Sequence, residues 1–342
     1  MFRMIRPRSR PPGQGRVTRL MQRLGAVGLA AGMTLALCLG VGEARAADFP
    51  NRPIRMICPF PPGASIDVLA RAYAKEMSEV LGQHVVVENR PGANGVLASS
   101  LVAKAPGDGY TVLFTTGSHI SNAAMATTLQ YQPVEDFTGI FLAAKSYGLA
   151  LVTAKYASVA ELVADAKRNP GKLTYATLGT GNVTHVAGAV FEKAAGIDLV
   201  DVPYNSPTLN TDLMGGQVDL AFMSTVSAVP LARTDKVKVI ATTGTMRPPT
   251  LPDVQTLQEL GYKDFDVTGY FGLLGPAKIP PEVVTIIYNA MRKGGDSKDV
   301  RALLADSSLY PGDLDPKAFD AFLREDLTYQ TRLMKELGIQ MK

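Results

Sequence analysis

The stretch Ile57–Arg71, "ICPFPPGASIDVLAR", passes from an apolar segment through Pro59, Pro61, Pro62 and Gly63 straight into a helical pattern. The prolines end the extended segment, and Ser65 stands where a helix N-cap is expected. From Ile66 onward Leu69, Ala70, Tyr73, Met77, Val80 and Leu81 recur at three- and four-residue steps, one apolar stripe that Gly82 closes as a C-cap. Strand, tight turn and helix form the repeating unit of α/β architecture. The unpaired N–H groups of such a helix start, with the helix dipole, favour an anion above the turn. The residues alone leave two readings open, a well-capped turn without a ligand and an anion site. Asp67 is equally open, between a first-turn acid that suits the dipole and a side chain that accepts loop N–H groups.

Outward from this turn the pattern repeats. The runs "IRMICPF", "HVVVEN", "YTVLFTT", "LTYATL", "VDLAFMS" and "VKVIATTG" read as strands between amphipathic helices such as "SVAELVADAKRN" and "THVAGAVFEKAAG". So many strands predict two sheets rather than one. Beyond residue 280 the chain reads as wholly helical, from "PPEVVTIIYNAMRKG" to the long stripe "DPKAFDAFLREDLTYQTRLMKEL". A second turn has the design of the first: "YATLGTGNVTHVAG" enters a helix through Gly179, Thr180, Gly181 and Asn182, with hydroxyl and amide side chains at the entry. It lacks the third glycine of a dinucleotide turn and the lysine of a Walker loop.

Residues 1–46 differ from the rest. Seven arginines precede the apolar run "LGAVGLAAGMTLALCLGV", and Ala44-Arg45-Ala46 follows, the pattern of a secretory signal cleaved after Ala46. Met21 begins a segment that makes a complete signal by itself. These residues carry eight of the 35 Lys and Arg and one of the 31 Asp and Glu. The remainder therefore has 27 basic against 30 acidic residues, a net charge near −3 rather than +4. Such a charge gives no support to nucleic-acid or anionic-membrane binding. Cys38 leaves with the signal, so Cys58 has no intramolecular partner and reads as a small core residue.

Catalytic equipment is sparse. His84, His119 and His185 have no metal-ligand spacing, no thiolate cluster exists, and no G-x-S-x-G elbow occurs, so neither a metal nor a cofactor is expected. His185, in the first turns of the second helix, is either a ligand contact or a hydrogen-bonded structural histidine. A secreted α/β enzyme acting on a small acid is the rival from another class.

The blocks "FPNRPIRMICPFPPGASIDVLARAYAKEMSEVLGQHVVVENRPGANGVLASSLVAKAPGDGYTVLFTT", "GTGNVTHVAG", "VPYNSPTLNTDLMGGQVDLAFMS", "RPPTLPDVQTLQELGY" and "VTGYFGLLGPAKIPPEVV", in that order, resemble the Bug family, periplasmic solute receptors of tripartite tricarboxylate transporters. The resemblance spans residues 48–342. It implies an α/β, two-lobed periplasmic binding protein fold of type II-like form, each lobe a mainly parallel sheet flanked by helices, closing on a small organic carboxylate. Residues 47–140 with 266–342 would form lobe 1 and 141–265 lobe 2, with hinge segments near 138–146 and 262–270. Ligand contacts are expected from Phe60, Gly63, Ala64, Ser65 and Asp67 of the first loop and Thr180, Gly181, Asn182 and His185 of the second. Thr116, Ser118, Tyr204, Asn205 and Ser224 are expected to border the same cleft, and Ser65 and Thr180 to donate hydroxyls to one carboxylate. The implied partners are the permease subunits of the transporter, or a sensor kinase that reads ligand occupancy. Four departures stand out: Ala64 for a glycine, which would be strained at a positive φ; Asn205-Ser206 for lysine-glycine; Met223-Ser224-Thr225 for an aspartate-asparagine pair; and Tyr270 for tryptophan. They imply a more neutral pocket wall.

Overall fold

The computed structural model describes residues 49–339 apart from 127–128, 180, 205–207, 264 and 313. The expected leader, residues 1–46, lies outside the described residues, as do Thr180 and Asn205.

The opening stretch folds as read. Strand β1 (Ile54–Cys58) buries Ile54, Met56, Ile57 and Cys58 completely. Helix α1 (Ser65–Leu81) turns Ile66, Leu69, Ala70, Tyr73 and Met77 into the same core, and Gly82 ends it at φ 64 with its N–H on the Ser78 carbonyl. One difference lies at the helix start. Ala64, not Ser65, is the N-cap, and Ser65 is already the first helical residue. Ala64 has φ −64, so the expected strain is absent; Gly63, at φ 82, takes the left-handed position instead.

The remaining strands are β2 (Val85–Asn89), β3 (Thr111–Thr116), β4 (Phe137–Ser146), β5 (Leu149–Thr153), β6 (Thr174–Thr177), β7 (Val200–Pro203), β8 (Leu220–Ser224), β9 (Lys238–Thr242), β10 (Tyr270–Pro276) and β11 (Leu309–Pro311). They form two sheets, one of six strands in the order β11-β4-β10-β3-β1-β2 and one of five in the order β7-β6-β8-β5-β9. Helices α2 (Val96–Ala103), α3 (Ser118–Met125), α4 (Val159–Arg168), α5 (Val183–Ala195), α6 (Leu209–Met214), α7 (Thr225–Ala232), α8 (Pro281–Gly295), α9 (Lys298–Asp306) and α10 (Pro316–Leu337) flank them.

The expected mainly parallel pairing needs correction, because both sheets are mixed. β1 runs parallel to β2 and β3, and β6 parallel to β7 and β8, whereas β10 is antiparallel to β3 and β4, and β5 to β8 and β9. The reason is where the chain enters. β1, β3, β6 and β8 lead out of their sheets into the helix starts described below, while β5 and β10 carry the chain back in from that same end. The C-terminal part is not wholly helical either, since β11 pairs with the end of β4.

β4 stays in the six-stranded sheet through Ser146, beyond the boundary read at 140/141, so the first passage between sheets is Tyr147-Gly148. The return passage comes before β10, and Thr243 ties the two together. Its hydroxyl accepts the Leu149 N–H at 2.7 Å and donates to the Val267 carbonyl at 2.6 Å. Ser146 adds a second tie, accepting the Gly269 N–H at 2.7 Å on its hydroxyl.

Candidate functional site

Four helices begin at one cavity of about 500 Å³ between the two sheets: α1 at Ser65, α3 at Ser118, α5 at Val183 and α7 at Thr225 all contribute to its lining. Each directs first-turn N–H groups and the positive end of its dipole toward the same space. Among the described residues no arginine lines the cavity. Local sequence marks two of these starts; at α3 and α7, where the resemblance placed Ser118 and Ser224 at the cleft, there is no proline–glycine turn or side-chain cap to mark a helix start.

The loops before α1 and α5 are held by the same device. The Gly63 N–H donates to Asp67 Oδ2 at 2.9 Å, and the Gly181 N–H donates to His185 Nδ1 at 3.1 Å, each an acceptor four residues into the helix. Asp67 is 3 % exposed. Its carboxylate also accepts from Asn89 Nδ2 at 2.8 Å and from the Arg71 guanidinium, with Nε at 3.1 Å. Burial by itself would raise this carboxyl, but Arg71, the Gly63 N–H and Asn89 outweigh it and hold it below its ordinary value. His185 is lowered by burial, against a weaker pull from Asp201, so its Nδ1 is free of a proton and accepts the loop N–H. Both side chains therefore hold their loops from within.

Asn182 caps α5 by accepting the Thr184 N–H at 3.1 Å, and the Thr184 hydroxyl in turn accepts the Leu178 N–H at 2.9 Å. At the third start, Thr116 Oγ1 accepts the Ser118 N–H at 3.2 Å and shares a hydrogen bond with Ser118 Oγ at 2.9 Å. The α1 start has no side-chain cap. An acid there would satisfy it from within. Ala64→Asp is accordingly expected to stabilise the protein by about 0.5–2 kcal/mol in urea unfolding while removing affinity for an anionic ligand, because its carboxylate would occupy the N–H groups.

Of the expected contacts, Phe60, Ser65, Thr116, Ser118, Gly181, Asn182 and Ser224 line the cavity. Gly63, Ala64, Asp67 and His185 stand behind the lining, where they shape the loops. Tyr204 is also off the lining: it packs on the cluster of Ala176 and Leu213. Thr180 and Asn205 lie outside the described residues. Lys145, Asp266 and Asp326 also line the cavity. Asn94 lines it too, at φ 50 and locked to Asn122 by side-chain and backbone hydrogen bonds of 2.9 Å. Its block "RPGANG" was visible in the sequence, and its consecutive turn formers were the signal that it approaches the cleft. Of the three histidines, His119 is buried between Ser99 and the Pro133 carbonyl, and burial lowers it to about 4.

Residues 69–339 match the family model described as the tripartite tricarboxylate transporter family receptor. The UPF0065 protein of the tcbD-tcbE intergenic region of Pseudomonas sp. (strain P51) is 36 % identical over 276 residues, 79 % of this chain and 82 % of that protein. The structure of the periplasmic binding protein BugD is similar at a TM-score of 0.75 and 30 % identity, over 86 % of this chain and 100 % of that one. Rpa4515 of R. palustris, solved with adipate, is similar at a TM-score of 0.77 and 29 % identity, over 86 % of this chain and 99 % of its own. Family match, relatives and fold agree with the cleft geometry that the opening turn led to: this chain belongs to the Bug family of periplasmic solute-binding receptors, the receptor family of tripartite tricarboxylate transporters.

Proposed function

We propose that this protein captures a small organic carboxylate in the periplasm and delivers it, unchanged, to the permease subunits of a tripartite tricarboxylate-type transporter. The observation that carries this reading is the convergence of four helix N-termini on one cavity, a field that favours an anion held by backbone N–H groups. Residues 1–46 would be the export signal, cleaved after Ala46. Ser65, Ser118, Asn182 and Ser224 would supply side-chain contacts, and the passages at Tyr147-Gly148 and Thr243–Gly269 would let two lobes close on the ligand. A similar receptor solved with adipate supports the ligand class.

A thermal-shift screen of mono-, di- and tricarboxylates, aromatic acids and neutral sugars tests the proposal. A ligand that binds only the folded state at ~100 times its dissociation constant adds about 2.7 kcal/mol, a shift of several degrees. Carboxylates are expected to produce it and neutral sugars to leave the melting temperature unchanged. A shift with sugars alone would defeat the reading. Recovery of a chemically altered ligand from the denatured complex would instead indicate an enzyme.

A further inference from the structure

The wall of the cavity that faces α10 has a chemistry of its own. Lys145 lies near the end of β4, directly opposite Tyr270 of β10 in the antiparallel register, so the two side chains share a face. Phe322 of α10 covers that face: its ring meets Tyr270 edge-on at 5.1 Å, and the Lys145 ammonium stands 5.4 Å over it. Tyr270 donates its hydroxyl to Asp326 Oδ2 at 3.1 Å, and Gln330 Nε2 donates to Oδ1 at 3.3 Å. All five side chains line the cavity. Among the described residues no carboxylate lies within 4.0 Å of the Lys145 ammonium, so a cation in a half-enclosed space has no ion-pair partner.

We propose that Lys145 and Asp326 together form a second subsite that receives a distal carboxylate of the ligand, which makes a short dicarboxylate the preferred solute. This deepens the reading of the helix starts as a carboxylate site and rests on it. The helix starts take one carboxylate with backbone N–H groups, and Lys145 takes the other with its ammonium. Asp326 would repel that second carboxylate if both were ionised, but burial already raises Asp326 to about 6, against the opposing pull of Gln330, Tyr270 and Lys145. The other titratable groups around it are Tyr329 of α10 and Asp266 of the segment before β10, and Lys145 is the one whose positive charge acts on it directly. A ligand carboxylate beside it adds a negative charge and favours the protonated acid further. Asp326 then takes a proton from solvent and donates its O–H to the ligand oxygen. Dicarboxylates bind with uptake of a proton near neutral pH, and monocarboxylates of equal length do not.

Calorimetric titration of the chain from residue 47 with straight-chain mono- and dicarboxylates of matched length, at about pH 6 and about pH 7.5 and in two buffers of different ionisation heat, tests the subsite. The wild type is expected to prefer dicarboxylates by roughly 10- to 150-fold, the worth of one hydrogen bond to a charged group. Lys145→Met loses that preference, with the monocarboxylate affinity as internal control. Asp326→Asn keeps dicarboxylate binding but loses its proton uptake and its pH dependence. Equal wild-type affinity for the two classes, or a Lys145→Met variant that weakens both alike, would overturn the subsite. Failure of every carboxylate to bind would instead remove the reading beneath it.

Discussion

Gly148→Ala is expected to destabilise the protein by at least ~3 kcal/mol, a large share of the stability of an ordinary domain. Gly148 has φ 100, and a Cβ there would meet the Gly244 nitrogen at 2.4 Å and Thr243 Oγ1 at 2.8 Å. The opposing Gly244 is as tight, since its Cβ would lie 2.1 Å from the Tyr147 carbonyl oxygen. The two passages between sheets thus cross backbone against backbone, and neither can yield without breaking the hydrogen bonds of Thr243, which is fully buried. Gly261→Ala is the matched control. Its φ is 96 but nothing lies within 4 Å of its Cβ, so only the left-handed backbone penalty of about 1–2 kcal/mol applies. Urea unfolding of both variants separates the contact from the backbone term; equal losses would show that the crossing tolerates a methyl group.

Asp67→Ala is expected to cost about 2–4 kcal/mol and to weaken ligand binding by roughly 10- to 100-fold. Arg71 is 51 % exposed and stays solvated when its partner is lost. The cost comes from the Gly63 N–H and Asn89 Nδ2, which lose a buried acceptor, and the Phe60–Gly63 turn is then free to shift away from the α1 start. The sign with pH follows from the lowered Asp67 value. Its stabilisation is present above the unfolded carboxylate range near ~4 and fades as pH falls through the lower folded value. The stability gap between wild type and Asp67→Ala should therefore narrow in acid. A gap that stays constant below about pH 3 would show that the charge on Asp67 is not what holds the turn.

Loops after β1 and β6 were legible because their chemistry is local. Proline, glycine and a run of apolar residues at helical spacing mark where a strand stops and a helix starts, and the Gly82 cap followed from the same rule. The identity of the N-cap was not legible. Ser65 and Ala64 differ by one position, and the turn is closed by the Gly63 N–H on Asp67 rather than by a serine cap. The α3 start was hidden because Gly117 sits in ordinary helical geometry under the Tyr270 ring, a contact made across a long sequence separation.

By itself the sequence determined the alternation of strands and helices, the two turns that open onto the cleft, the long final helix and the family, all of which rest on spacing and on blocks read along the chain. Tertiary structure alone decided the direction of β5 and β10, because a strand's direction depends on the end from which the chain re-enters the sheet. It also decided that Lys145, Tyr270, Phe322 and Asp326 meet on one wall. In the sequence Lys145 is one charge after "FLAA", and Asp326 is one acid on an amphipathic helix. Only the packing of α10 across β4 and β10 half-buries both and brings them to one cavity wall.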